Sequence, residues 1–240
     1  MDDGAAIVGD LVDLSTPEYA WLGDDRWPRD IVDTPRYPAM DVARTQQEMS
    51  EVGRLRYELF IGRDGKRYVH ADHEARMFLE PIDRVSLNFI ARMRGKCAVT
   101  VRATWASDAI VDPHLEQVVA HADLDLEALD RTIVNSRMVA QPSTSARSLI
   151  QPLFQCMFMV ALRADARFCL AATRSALIPL FERFGFHQLA RPRPYFDEVA
   201  GWMSILVLDL HDRERLVRAD SPYLPIYDEF HSRNRSRNYS

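Results

Sequence analysis

The chain has 240 residues, 47% of them hydrophobic and 27% charged, a balance that supplies a core for one large domain or two small ones. With 35 acidic against 30 basic residues the net charge is −5, which argues against a nucleic-acid partner, because phosphate neutralisation needs clustered positive charge. Three cysteines at 97, 156 and 169 sit in apolar contexts without metal-ligand spacing and read as free thiols of a reducing cytoplasm; no basic leader opens the chain, and its longest apolar run is too short to span a bilayer.

Residues 1–36 are rich in Asp, Pro and Trp without sustained periodicity. They read as an arm pinned by Tyr19, Trp21 and Trp27, or as a disordered leader. A globular domain is expected over 37–212, then a C-terminal helix and flexible tail over 213–240. Residues 37–42 fit a first strand. Thr45-Gln-Gln-Glu48 is a capping box that opens a helix reaching Phe60. The polar stretch 62–80 turns at Asp64-Gly65; its His70, Asp72, His73, Glu74 and Arg76 match no known metal spacing, and no metal is expected. Residues 84–92 and 97–104 alternate as two strands joined by the turn Arg94-Gly95-Lys96. Residues 107–130 are acidic and partly helical, broken at Asp112-Pro113.

The stretch 131–185 organises the rest. Residues 131–140 read as a strand, and Gln141-Pro-Ser-Thr-Ser-Ala-Arg-Ser148 as a loop of turn formers. Residues 149–164 form an apolar helix with Phe154, Met157, Phe158, Ala161 and Leu162 at helical spacing, and Pro152 in its first turn or at a kink. Residues 167–172 are a short buried strand. Thr173 is placed to cap a helix over 174–184 that stops at Gly185. Residues 187–190 and 202–210 read as strands, separated by the breaker Arg191-Pro-Arg-Pro194. A short charged helix over 211–218 and a disordered tail over 232–240 complete the chain.

This order of elements resembles the GNAT acyltransferase fold, an α/β (α+β) architecture with a mixed, mostly antiparallel central sheet flanked by helices. Leu180-Phe-Glu-Arg-Phe-Gly-Phe-His187 is similar to that family's penultimate helix and following strand. Phe89-Ile-Ala-Arg-Met-Arg-Gly-Lys-Cys-Ala-Val-Thr-Val-Arg102 is similar to its central hairpin. More narrowly, Arg54-Leu-Arg-Tyr-Glu-Leu-Phe60, Arg102 and Asn135-Ser-Arg-Met138 resemble acyl-homoserine-lactone synthases and long-chain N-acyl amino acid synthases. Three positions depart from those patterns. Val134 stands where autoinducer synthases carry Glu, Phe181 where GNAT enzymes often carry a Tyr acid, and Ser145 and Ala146 where the pyrophosphate loop usually has glycines.

The resemblance implies an N-acyltransferase in which an amine attacks a thioester directly. The donor would be acyl-CoA or the acyl-phosphopantetheine of an acyl-carrier protein, and the acceptor an amino acid or an amino-acid side chain. The thioester would lie in a gap between the strand ending at Met138 and the strand at Phe168, with the backbone N–H of Met138 or Val139 at the oxyanion. The loop N–H groups of Ser143, Thr144, Ser145, Ala146, Arg147 and Ser148 would hold phosphate. Arg102 and Arg137, with Arg56 and Phe89, would bind substrate, because a guanidinium forks a carboxylate; a salt bridge at a strand end is the alternative. Asp72 and Glu74 would hold the amine or relay its proton, or stay in water, and Asn135 would orient a water or make a strand hydrogen bond. Phe154, Met157, Phe158 and Leu162 would line an acyl tunnel or pack a core. Arg163, Arg167 and Arg174 would meet an acidic carrier protein or remain solvated. Two other functions stay open: an acetyl-CoA-dependent acetyltransferase with a short, closed pocket, and a GNAT-shaped binding protein that holds thioesters without turnover.

Overall fold

In the computed structural model, which describes residues 24–28, 39–123, 125–189 and 194–237, β1 (Met40–Val42) leads to α1 (Gln46–Arg56), and a π-helical turn, Tyr57–Arg63, prolongs that helix. The capping box forms as its spacing requires: Glu48 N–H donates to Thr45 Oγ1 at 3.2 Å and Thr45 N–H to Glu48 Oε2 at 3.1 Å. The polar stretch carries a small ribbon, β2 (Ala71–Asp72) and β3 (Met77–Phe78), before a 3-10 turn at Pro81–Arg84. That turn delays the next strand to Leu87, so Val85 and Ser86 lie outside it. β4 (Leu87–Met93) and β5 (Lys96–Trp105) form the expected hairpin. Arg94 and Gly95 both take positive φ, 52° and 79°, the geometry of a two-residue hairpin loop that matches strand twist.

α2 (Ala106–Ala109), α3 (Pro113–His121) and α4 (Leu126–Leu129) cross over to β6 (Thr132–Ala140). Asp112-Pro113 starts α3 rather than breaking a helix: the Asp112 side chain accepts from His114 and Leu115 N–H, and Pro113 takes the first position. A short helix, α5 (Thr144–Arg147), then precedes α6 (Ile150–Arg163), whose first turn holds Pro152, and β7 (Phe168–Thr173) follows. Thr173 does not cap a helix. It ends β7, paired with Ser204, and a 3-10 turn (Ser175–Leu177) leads into the brief α7 (Ile178–Glu182). Gly185 stops that segment at φ 99°, where an added Cβ would lie 2.9 Å from Leu216 Cδ2. β8 (His187–Gln188), β9 (Tyr195–Asp197), β10 (Gly201–Asp209), α8 (Arg213–Arg218) and α9 (Leu224–Arg237) complete the order. α9 runs through residues 232–237, where a disordered tail was expected, because Tyr223 and Ile226 tie it to the core against α6. Tyr19, Trp21, Tyr37, Ala190 and Arg191 to Arg193 lie outside the described residues. Trp27 is buried, its ring 4.8 Å from that of Trp105.

The main sheet has the order β1-β4-β5-β6-β7-β10-β8, with β9 on β10. All its pairs are antiparallel except β6 with β7. Side chains alternate across it, so one face packs beneath α1, α6 and α9, and the other, through Val134, Leu170 and Val207, beneath α2 and α3. The result is the mixed, mostly antiparallel sheet flanked by helices that the sequence predicts. No helix among the described residues is long and apolar enough to cross a membrane.

Candidate active site at the fork of two parallel strands

The one parallel junction among the described residues is also where the sheet opens. β6 and β7 pair only from Thr132 with Phe168 to Asn135 with Ala171. Beyond that, β6 continues along β5 to Ala140 while β7 follows β10 to Thr173. A bulge in β6 contributes to the divergence. Arg102 faces Ser136 and Thr100 faces Val139, so Arg137 and Met138 together oppose Val101, the two-against-one count that bends a strand and breaks its ladder. Arg137 adopts φ 52°, a left-handed conformation that costs a branched-free but bulky residue on the order of 1–3 kcal/mol.

Its side chain holds that conformation in place. Arg137 Nε donates to Glu80 Oε2 at 2.6 Å and Nη2 donates to Oε1, a bidentate pair. The guanidinium also lies 4.8 Å from the Tyr68 ring centroid and 5.5 Å from that of Phe78. Glu80 is shared: Arg102 Nη1 donates to it at 2.8 Å, while Arg102 Nε donates to Ser136 Oγ at 3.0 Å. Arg56 completes the cluster, with Asp83 at 2.9 Å and Asn88 at 2.6 Å. Arg56, Arg102, Glu80 and Asp83 are buried, so two cations face two anions away from water, with part-buried Arg137 beside them at the cavity. Burial pushes the Glu80 carboxyl up, but Arg137 and then Arg102 outweigh it and hold it well below the usual carboxylate range. Asp83 is likewise lowered, by Arg56 first among its charged neighbours.

A cavity of ≈ 190 Å³ extends from the fork between β6, β7 and α6. Because α6 runs back antiparallel to β6 and β7, partly exposed Met138 and exposed Arg174 mark a mouth at one end, and buried Ile133, Ala161 and Cys169 line the other. Phe154, Met157 and Phe158 line it, as does Phe89; Leu162 is core and does not. The mouth is polar, with Lys66, Tyr68, His114, Asn135, Arg174 and Asp197.

Asn135, Met138, Arg137 and Phe89 thus meet at one cavity. Arg56 and Arg102 lie behind it, and the carboxylates they grip are the chain's own. Asp72 and Glu74 are not among the cavity's lining; Asp72 Oδ1 accepts from Ala75 N–H at 2.8 Å, closing a turn, and Glu74 is exposed. The loop after β6 also lies off the cavity, and its N–H groups are largely spent. Ser143 N–H donates to Gln141 O, Ala146 N–H to Ser143 Oγ, Arg147 N–H to Ser143 O and Ser148 N–H to Thr144 O. Thr144 and Ser145 remain, and Val139 is buried in the core. The three arginines do not form one patch: Arg167 pairs with Asp209 at 2.6 Å, Arg163 sits at the end of α6, and Arg174 stands at the cavity mouth. Lys66, Tyr68, His114 and Asp197 carried no local signal. Only Glu80 and Asp83 were findable, since Glu80-Pro81 and Asp83 close a reciprocal cap in which Glu80 N–H donates to Asp83 Oδ2 at 2.8 Å.

The model of the family described as N-acyl amino acid synthase FeeM matches residues 51–202, more than half of the chain. Among solved structures, TofI in a ternary complex with an inhibitor and MTA is similar at 18% identity and a TM-score of 0.58, covering 77% of this chain and 97% of its own. The CoA-dependent acyl-homoserine lactone synthase BjaI, solved with MTA, is similar at 13% identity and 0.56, covering 72% and 82%. FeeM, an N-acyl amino acid synthase from uncultured soil microbes, is similar at 10% and 0.51, covering 78% and 98%. These likenesses establish a shared GNAT-like fold. No curated protein sequence matches the chain.

Proposed function

Since the chain belongs to the N-acyl amino acid synthase FeeM family, and is an N-acyltransferase that moves an acyl group onto an amine, we propose that it joins a fatty acyl chain to the amine of an amino acid. The observation that carries this reading is the apolar cavity behind the β6–β7 fork. An acetyl group would leave most of it empty. The chain would lie along Phe154, Met157 and Ala161, with its thioester at the fork, where the bulge frees backbone N–H near Met138 to meet the oxyanion.

Direct attack fits better than an acyl-enzyme. Cys169 lines the cavity, but burial pushes its thiol up to about 12, so almost no thiolate exists at neutral pH. For the donor, the glycine-free loop with few spare N–H groups favours the single phosphate of an acyl-carrier protein over the pyrophosphate of coenzyme A. For the acceptor, two cations at the mouth, Lys66 and Arg174, have no ion-pair partner among the described residues. Lys66 lies half-buried over the Phe60 ring. Burial and then Arg174 depress its pKa, a mutual repulsion that an incoming carboxylate relieves.

The test is incubation with acyl-carrier-protein and acyl-CoA donors of graded length and a panel of amino acids, with products identified by mass spectrometry. A long-chain N-acyl amino acid is the expected product. Acetylated product alone would replace this reading with an acetyltransferase. Lys66→Ala and Arg174→Ala are each expected to raise the KM of the amino acid by about tenfold, the loss of a charge-assisted contact of about 1.5 kcal/mol. A rise in donor KM instead would assign the pair to the pantetheine phosphate.

A further inference from the structure

We propose that His114 takes the proton that the attacking nitrogen sheds, with Asp197 as the positioning residue that holds its ring; this role rests on the acyl-transfer reading above. The two residues are 83 positions apart, yet His114 Nδ1 lies 3.2 Å from Asp197 Oδ2, and both line the cavity mouth. α3 brings His114 there: Asp112 caps the helix, Pro113 sets its first position, and His114 follows on the side facing Tyr68, whose ring centroid is 6.3 Å away. β9 brings Asp197, fixed by N–H groups of Val199 and Ala200 that donate to its Oδ1 at 2.9 and 2.6 Å.

The carboxylate decides the tautomer. His114 first, then those two N–H groups, hold Asp197 down to about 2 against its desolvation, so it is ionised and only accepts. Nδ1 therefore carries the hydrogen, and Nε2 of the neutral ring is the base. Several other titratable groups of the cavity do not suit this task near neutral pH. Tyr195 and Cys169 are pushed up to about 12 by burial, the arginines remain protonated, and Asp197 is too weak a base. The facing charges are Asp197 on β9, Asp112 on α3 itself, and Arg137 and Glu80 across the mouth. Asp197 raises the His114 pKa above its usual 6.5, and burial and Arg137 partly oppose it.

The acceptor enters as free amine, its ammonium proton left in solvent. Its nitrogen attacks the thioester carbon, the C–N bond forms, and the nitrogen passes one proton to His114 Nε2. The C–S bond then breaks, and the departing sulfur takes that proton from the imidazolium. Amide and thiol are the products, nothing is oxidised or reduced, and neutral His114 is restored.

The experiment compares wild type, His114→Ala and Asp197→Asn in steady-state acyl transfer from acyl-carrier protein, with donor binding measured separately. His114→Ala is expected to lose about 100-fold or more in kcat, as for a general base, to bind donor as wild type does, and to regain turnover with added imidazole. Wild-type activity should fall as pH drops and His114 protonates. In Asp197→Asn that limb should move to lower pH, together with the His114 titration followed by NMR. Wild-type turnover with an unchanged His114→Ala profile would overturn this role while leaving the acyl-transfer reading intact. Wild type silent with every donor and acceptor would overturn both.

Discussion

Glu80→Ala is expected to cost about 3–5 kcal/mol of folding stability, because it takes the only carboxylate paired with part-buried Arg137 among the described residues and leaves buried Arg102 with Asp83 alone, at 3.5 Å. At about 2–4 °C per kcal/mol for a chain of this size, the thermal midpoint should fall by roughly 6–20 °C. The pH dependence carries a sign. Glu80 is held below its ordinary 4.5, so its contribution is fully present above that value and is lost as pH falls through the folded-state pKa below it. Wild type should therefore lose stability on acidification from pH 4.5, and Glu80→Ala should lose less over the same range. Denaturant titrations at neutral and acid pH measure both. A variant that melts with wild type would mean the network does not stabilise the fold. The effect should extend to function, because the Arg137–Glu80 fork also fixes the β6 bulge beside the proposed thioester position.

Ala161→Phe should separate chain length from chemistry. Ala161 is a buried lining residue near the end of α6, where the added ring would occupy the volume that the proposal gives to the distal acyl carbons. Turnover with long-chain donors should fall by about 10–200-fold, the range for steric misfit in an apolar pocket, while short-chain donors keep theirs. Overpacking costs about 1–3 kcal/mol at most sites, and the empty volume should hold it to the low end. Equal loss for all chain lengths would place the acyl chain elsewhere.

Local chemistry wrote much of this fold plainly. The Thr45–Glu48 box, the Arg94-Gly95 turn, the apolar spacing of α6 and the stop at Gly185 each need only neighbours a few residues away. The site was half legible. Asn135, Arg137 and Met138, named from the resemblance, line the candidate cavity because they sit on the strand that forks. The partners of Arg102 and Arg137 were not legible, since Glu80 lies 22 and 57 positions distant, and nothing local marks it as their carboxylate. His114 and Asp197 meet only through the packing of α3 and β9 on opposite sides of one mouth. The bulge at Arg137 also escaped prediction, because its left-handed backbone is imposed by the Glu80 pair rather than by a glycine or asparagine.

The central claim is that the acyl chain lies behind the β6–β7 fork. Its most direct test is photo-crosslinking with a long-chain acyl-pantetheine that carries a diazirine near its methyl end, followed by peptide mapping. Labels are expected on α6 around Met157–Ala161 and on β7 around Cys169–Ala171, competed by unlabelled long-chain thioester. Labels confined to the outer surface, or insensitive to that competitor, would contradict the account.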